Sequence, residues 1–254
     1  MDYISVEEAR HLPGLRLVLT AGVPGPWGEA AKALVSYKGI DWVAARQDAA
    51  SENPALQEWT GQASAPVVAW EDLPPACNWL DQVGLLDRIE PERPLLPEEP
   101  VLRAEAIGLA GLIAGPGGFG WQRRLAMIGS MVSVDPLPDQ VRRFADRYGF
   151  SEGALAQSHH QFGAICRALD EHLAARDLQG SRFFVGNTVT AVDFYWACFL
   201  GMVRPLPREV NPMPDWAWEL YDAKEPEVRA LITDRLTAHR DMMYREFISL
   251  PLDF

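Results

Sequence analysis

The sequence predicts a small α/β domain followed by an all-helical one, and three observations carry that reading. Prolines stand at 91, 94, 97 and 100, a spacing that neither a helix nor a central strand can continue and that favours an extended, stiff connector. Before this run, short apolar segments alternate with amphipathic stripes of helical period. After it, strand signals are nearly absent. The expected division is 1–90 for the α/β domain, with a short N-terminal extension over 1–13, then 91–100 as linker and 101–254 as the helical domain.

The elements follow in order. Residues 15–20, mostly apolar, read as a strand, and Val23-Pro24-Gly25-Pro26 as a turn in which Pro26 suits the first helical position. Trp27, Ala30, Ala31, Leu34 and Val35 recur at helical spacing until Gly39 closes the helix. Residues 41–46 and 66–70 are further strand candidates, and Ala76, Trp79, Leu80, Val83 and Leu86 form a second amphipathic stripe. Beyond the linker, residues 101–114 are helix-like and rich in Gly and Ala, which suits close packing against a neighbour. The glycine-rich 115–120 lacks the spacing of a phosphate cradle and reads as a flexible loop. Leu155, Phe162, Cys166, Leu169 and Leu173 mark one face of a long helix. Residues 190–203 are apolar all round apart from Asp193, as in a buried central helix, and 225–247 supply a final helix.

Composition removes several function classes. At 254 residues and 48% apolar, the chain can build a substantial core and is not disordered. The net charge of −12 with no Lys/Arg run argues against a nucleic-acid partner. Cys77, Cys166 and Cys198 form no CxxC pair, so buried thiols in a reducing, cytoplasmic setting are expected. The first ten residues lack the basic start and apolar core of a signal peptide, and no uninterrupted stretch reaches the ~20 apolar residues of a membrane span. His159 and His160 are adjacent and point about 100° apart on a helix, so neither they nor His172 makes a metal site. Five of the nine tryptophans, at 27, 42, 59, 70 and 79, fall in the smaller domain, and that surplus is expected near a ligand pocket.

Gly186-Asn187-Thr188-Val189-Thr190-Ala191-Val192-Asp193 is the most informative motif. Thr190 and Asp193 suit a capping box, with Val189 and Phe194 at the staple positions. With Ser36-Tyr37-Lys38-Gly39-Ile40-Asp41-Trp42 and Ala65-Pro66-Val67-Val68, in this order, the chain resembles the glutathione S-transferase superfamily. The resemblance implies a thioredoxin-like N-terminal domain, a cis-proline at Pro66, an all-α C-terminal domain and a homodimer. It further implies glutathione as co-substrate, held in part by the backbone of Ala65, and a hydrophobic small-molecule substrate.

The sequence departs from the family pattern where the thiol is activated. The Ser/Cys position falls on Gly25 and the Tyr position near Ala21, leaving Thr20 as the nearby hydroxyl or, alternatively, the free N–H groups at Trp27 or Gly28. The acidic pair expected at the γ-glutamyl group falls on Glu71 and Asp72, but no Ser follows and Pro74-Pro75 remove backbone donors. Few cations (Arg16, Lys32, Lys38, Arg46, Arg88) lie within 14–88, which, with the charge of −12, does not favour an anionic tripeptide. Trp121, Arg123, Arg124 and Tyr148 are candidates for the substrate pocket, with Trp27 at its mouth; plain packing between helices is the competing reading. Two functions remain open: a glutathione-dependent enzyme with a non-standard activating group, or a catalytically degenerate ligand- or protein-binding member. A different thiol cofactor is a third.

Overall fold

The computed structural model describes residues 1–254. The N-terminal part runs β1 (Tyr3–Ile4), α1 (Val6–Arg10), β2 (Leu15–Thr20), α2 (Pro26–Lys38), β3 (Trp42–Gln47), α3 (Pro54–Thr60), β4 (Val67–Trp70) and α4 (Trp79–Ile89). The helical part comprises α5 (Pro100–Ala114), α6 (Phe119–Met131), α7 (Asp139–Arg147), α8 (Glu152–Leu178), α9 (Ala191–Phe199), α10 (Asp215–Tyr221), α11 (Pro226–Ala230) and α12 (Asp234–Glu246). No helix is long and apolar enough to cross a membrane.

The sheet has strand order β1-β3-β2-β4, with β1 and β2 parallel to β3 and β4 antiparallel to β2. Central β2 alternates as a strand covered on both faces must. Leu15, Leu17 and Leu19 join the main core, whereas Val18 faces Val6, Ala9, Ala45, Leu56 and Val67. Arg16 shares that second face and is buried, its guanidinium satisfied by the carbonyls of Ala9, Gly14 and Glu71. The main core continues without a break from the sheet into α9, where Phe194, Trp196 and Phe199 are fully buried.

The expected capping box forms at α9. Asp193, fully buried, accepts from the Thr190 N–H (2.8 Å), the Thr190 hydroxyl (3.0 Å), the Phe184 N–H (3.0 Å) and Nε2 of His239 (2.9 Å). Elsewhere four expectations need correction. The segment read as an N-terminal extension contributes edge strand β1 and helix α1, the latter capped by Ser5 and Glu8. The proline-rich connector is docked: Leu95 and Leu96 are buried, and their N–H groups donate to the Asp87 carboxylate at 2.8 and 3.2 Å. The glycine-rich loop ends at Gly118, since Phe119 and Gly120 open α6 and are buried. The last helix is two, broken ahead of Thr233, whose side chain caps α12. Cys166 and Cys198 are buried and Cys77 half-buried; burial pushes the Cys166 thiol up to about 12. His159 and His160 are exposed, and His172 Nε2 lies 2.7 Å from the Phe184 carbonyl.

Candidate functional site

A cavity of about 350 Å³ lies between the two parts of the chain, within the range of small-molecule sites. One wall is the start of α2. Gly25 is the N-cap, in ordinary extended backbone (φ −64°, ψ 126°), and no side chain caps the helix. Pro26 has no N–H, so the free donors are those of Trp27 and Gly28, which find no acceptor in the chain. Both residues line the cavity. The positive end of a thirteen-residue helix therefore opens on an unfilled space. Ala65 and the cis Pro66 border the same space, and neither the N–H nor the C=O of Ala65 is bonded within the chain.

Thr20 also lines the cavity, but its hydroxyl donates to Gln47 Oε1 at 2.6 Å. The Gln47 amide nitrogen donates to the carbonyls of Asp48 and Ala63, which fixes the oxygen toward Thr20. A hydroxyl has one proton, and this one is committed. The Trp27 indole N–H is likewise committed, to the Ala114 carbonyl at 2.9 Å, and its ring meets Phe199 edge-on at 4.7 Å. Trp27 ties α2 to the helical part; its backbone N–H, not its ring, is available for chemistry. This contact requires Gly120, where a Cβ would stand 2.4 Å from the Phe199 ring and 3.0 Å from the Trp27 ring.

The opposite wall comes from α6, α7 and α10. Arg124 is buried with its Cζ 5.4–6.0 Å from the ring centroids of Trp27, Phe144, Tyr148 and Tyr221, all of which line the cavity. Tyr3 and Phe254, from the two chain ends, complete another side. The Tyr3 hydroxyl is buried without a partner, and burial raises it to about 12.

Of the sequence-predicted residues, Thr20, Gly25, Trp27, Ala65, Pro66, Arg124 and Tyr148 meet around this one cavity. Trp121 does not: its indole donates to the Tyr148 carbonyl at 3.2 Å, and the ring props Tyr148 at 4.7 Å from outside the lining. Arg123 also stays out, its Nε bound to the Met202 carbonyl. Glu71 and Asp72 are misplaced. They sit in the turn after β4, where Glu71 accepts the Gly14 N–H at 3.1 Å. The chain then returns, Ala76 pairs with Val68, and the next helix starts only at Asn78, which caps it with its own carboxamide. Pro74 and Pro75 therefore belong to the segment that leads from this turn back to Ala76, not to the helix start. Among the five N-terminal tryptophans, Trp27 alone lines the cavity. The cavity is positive although the whole chain is negative. Its side chains bring three cations, Lys32, Arg124 and Arg147, against the one acid Glu29, in a chain of −12. Phe144, Arg147, Tyr221 and Phe254 carried no sequence signal, because distant segments bring them together.

The model of the glutathione S-transferase C-terminal domain matches residues 152–223. A glutathione S-transferase from Methylobacillus flagellatus with GSH bound superposes with a TM-score of 0.61 at 14% identity, over 92% of this chain and 96% of that one. One from Methylobacterium radiotolerans, in complex with glutathione sulfonate, gives 0.58 at 16% identity over 92% of each chain. A beta-etherase from Sphingobium gives 0.56 at 18% identity over 86% of this chain and 98% of that one. No curated protein matches by sequence. The chain has the glutathione S-transferase fold, a mixed β-α N-terminal part followed by an all-α part.

Proposed function

We propose that this chain binds glutathione at the start of α2 and conjugates it, through its sulfur, to a hydrophobic electrophile held in the adjoining aromatic cavity. The observation that carries this reading is the pair of free amides, Trp27 and Gly28, opening on the cavity beside the free backbone of Ala65. A thiolate is the reactive form of glutathione, and helix N-termini lower thiol pKa values. With Thr20 committed to Gln47 and no side chain on Gly25, the amides carry that work. The peptide backbone of the cysteinyl residue finds a donor and an acceptor at Ala65. Thiolate attack then forms a carbon–sulfur bond as the electrophile's leaving group departs with the bonding electrons. The positive lining assists an anionic tripeptide. The exposed face of α5, with Val101, Ala104, Gly108 and Leu112, is the surface offered to a second copy of the chain.

Calorimetric titration with glutathione tests the first step, with an expected Kd of about 1 mM or tighter. Absence of binding at about tenfold higher concentration would sink the reading. Turnover of 1-chloro-2,4-dinitrobenzene tests the second step. Binding without turnover of any electrophile selects the alternative of a non-catalytic binder, which the bare Gly25 position favours.

A further inference from the structure

We propose that the ligand of the aromatic half of this cavity is an aromatic carboxylate, and that Arg124 is the specificity-determining residue that pairs with its anionic group. The inference rests on the cavity being the acceptor site of the function proposed above, and names the class of acceptor. Two adjacent arginines start the argument. Arg123 is accounted for: its Nε donates to the Met202 carbonyl at 3.0 Å, and its guanidinium lies 3.9 Å from Glu225. Arg124 is not. It is 7% exposed, makes no ion pair with a carboxylate, and meets only two phenol hydroxyls, that of Tyr221 at a long 3.3 Å and that of Tyr148. Its Nε is buried and unpartnered.

A guanidinium carries five N–H donors in a planar fork. Burying it without acceptors is unfavourable unless something satisfies both its charge and those donors. The four rings lie close to the charge, and two of them bring a neutral hydroxyl to the guanidinium, but none brings a negative charge and none reaches Nε. What the site lacks is a planar group taking two parallel N–H bonds, which is a carboxylate. No lining residue supplies it, because Glu29, the acid in the lining, is held by Lys32 at 2.7 Å. Arg147 lines the rim, exposed and without an ion-pair partner, where it attracts anions toward the cavity. The flat walls of Trp27, Phe144 and Tyr148 suit an aromatic body attached to that carboxylate.

The test is a matched pair of small probes that need no glutathione: naphthalene-1-carboxylate and naphthalene-1-carboxamide, titrated calorimetrically at pH 7.5 in low salt. The carboxylate is expected to bind the unmodified chain about tenfold more tightly, as a charge-assisted bidentate contact would give. Arg124→Gln should abolish that preference, and Arg124→Lys, which keeps the charge but not the fork, should retain part of it. Equal affinity of the unmodified chain for the two probes overturns the proposal even if the variants fail to fold. So does a preference that survives Arg124→Gln. Glutathione carries carboxylates of its own, so the carboxylate probe is also titrated into the glutathione-saturated chain. Undiminished binding supports the acceptor assignment; mutual exclusion overturns it by assigning Arg124 to glutathione. Failure of glutathione itself to bind removes the transferase reading, while the comparison of the two probes stands or falls separately.

Discussion

Helix α9 and helix α2 begin in opposite ways. At α9 the Thr190 N–H goes to Asp193, the Ala191 N–H to the Leu95 carbonyl at 2.8 Å, and the Asp193 carboxylate collects four donors in all. At α2 there is a glycine, then a proline, then two amides with no acceptor. The difference follows from what each helix start faces. That of α9 is buried in the core, where a stranded N–H costs about 1–3 kcal/mol. That of α2 faces a cavity, where a side-chain cap would occupy the donors an anionic ligand needs. One start is closed by its own chain and the other is left open, and on the function proposed above the open one binds.

The largest expected effect lies at the satisfied end. Asp193→Ala strands the Phe184 and Thr190 amides and leaves His239 Nε2 without its acceptor. The expected loss is about 3–5 kcal/mol, or roughly 10 °C in Tm, read by thermal unfolding followed by circular dichroism. A loss below about 1 kcal/mol would mean that the core relaxes around the gap and that the contrast between the two helix starts is overdrawn.

At the open end the effects should separate. Gly25 has ordinary extended dihedrals, and a Cβ there meets nothing within 4 Å, so Gly25→Asp is accommodated. Its carboxylate would cap Trp27 and Gly28, raising stability by about 0.5 kcal/mol. The same carboxylate would occupy the thiolate's place, and glutathione affinity should fall about tenfold or more. Calorimetry and a melting curve on one sample measure both. A stabilised variant that binds glutathione as before would show that α2 does not hold the sulfur.

Both helix starts were legible in the sequence. The capping box was readable because it is local: Thr190 and Asp193 are three apart and precede a wholly apolar run. Gly25-Pro26 was readable as a helix start for the same reason. Strands β2, β3 and β4 showed as apolar runs, but β1 is two residues long and exists through its pairing with β3. Helix α1 did carry a Ser5-to-Glu8 box, without the periodic apolar run that would have drawn attention to it. Glu71 and Asp72 were misplaced because the return of the chain through Ala76, a pairing decision, sets where the next helix begins. Leu95 and Leu96 between the prolines were the missed sign that the connector docks. The positive lining was hidden for a similar reason: Lys32, Arg124 and Arg147 are dispersed in sequence, and total charge carries no information about where a cavity closes.

The smallest expected effect is the sharpest test of whether amides alone activate the thiol. Thr20 is the hydroxyl closest in sequence to α2 among the cavity-lining residues, and the geometry commits its proton to Gln47, whose own amide nitrogen is committed to Asp48 and Ala63. Releasing that proton toward a bound sulfur would require the Gln47 carboxamide to lose a 2.6 Å contact with nothing in the chain to replace it. Thr20→Val, nearly isosteric, should therefore leave kcat/KM with glutathione within about twofold. It should also lower stability by about 1 kcal/mol through the orphaned Gln47 oxygen. The two readouts are independent, so a destabilised but active variant is the expected result. A loss of about tenfold in kcat/KM, with the melting curve unchanged, would move activation from the Trp27 and Gly28 amides to the hydroxyl. The open helix start would then be a binding surface without a catalytic part.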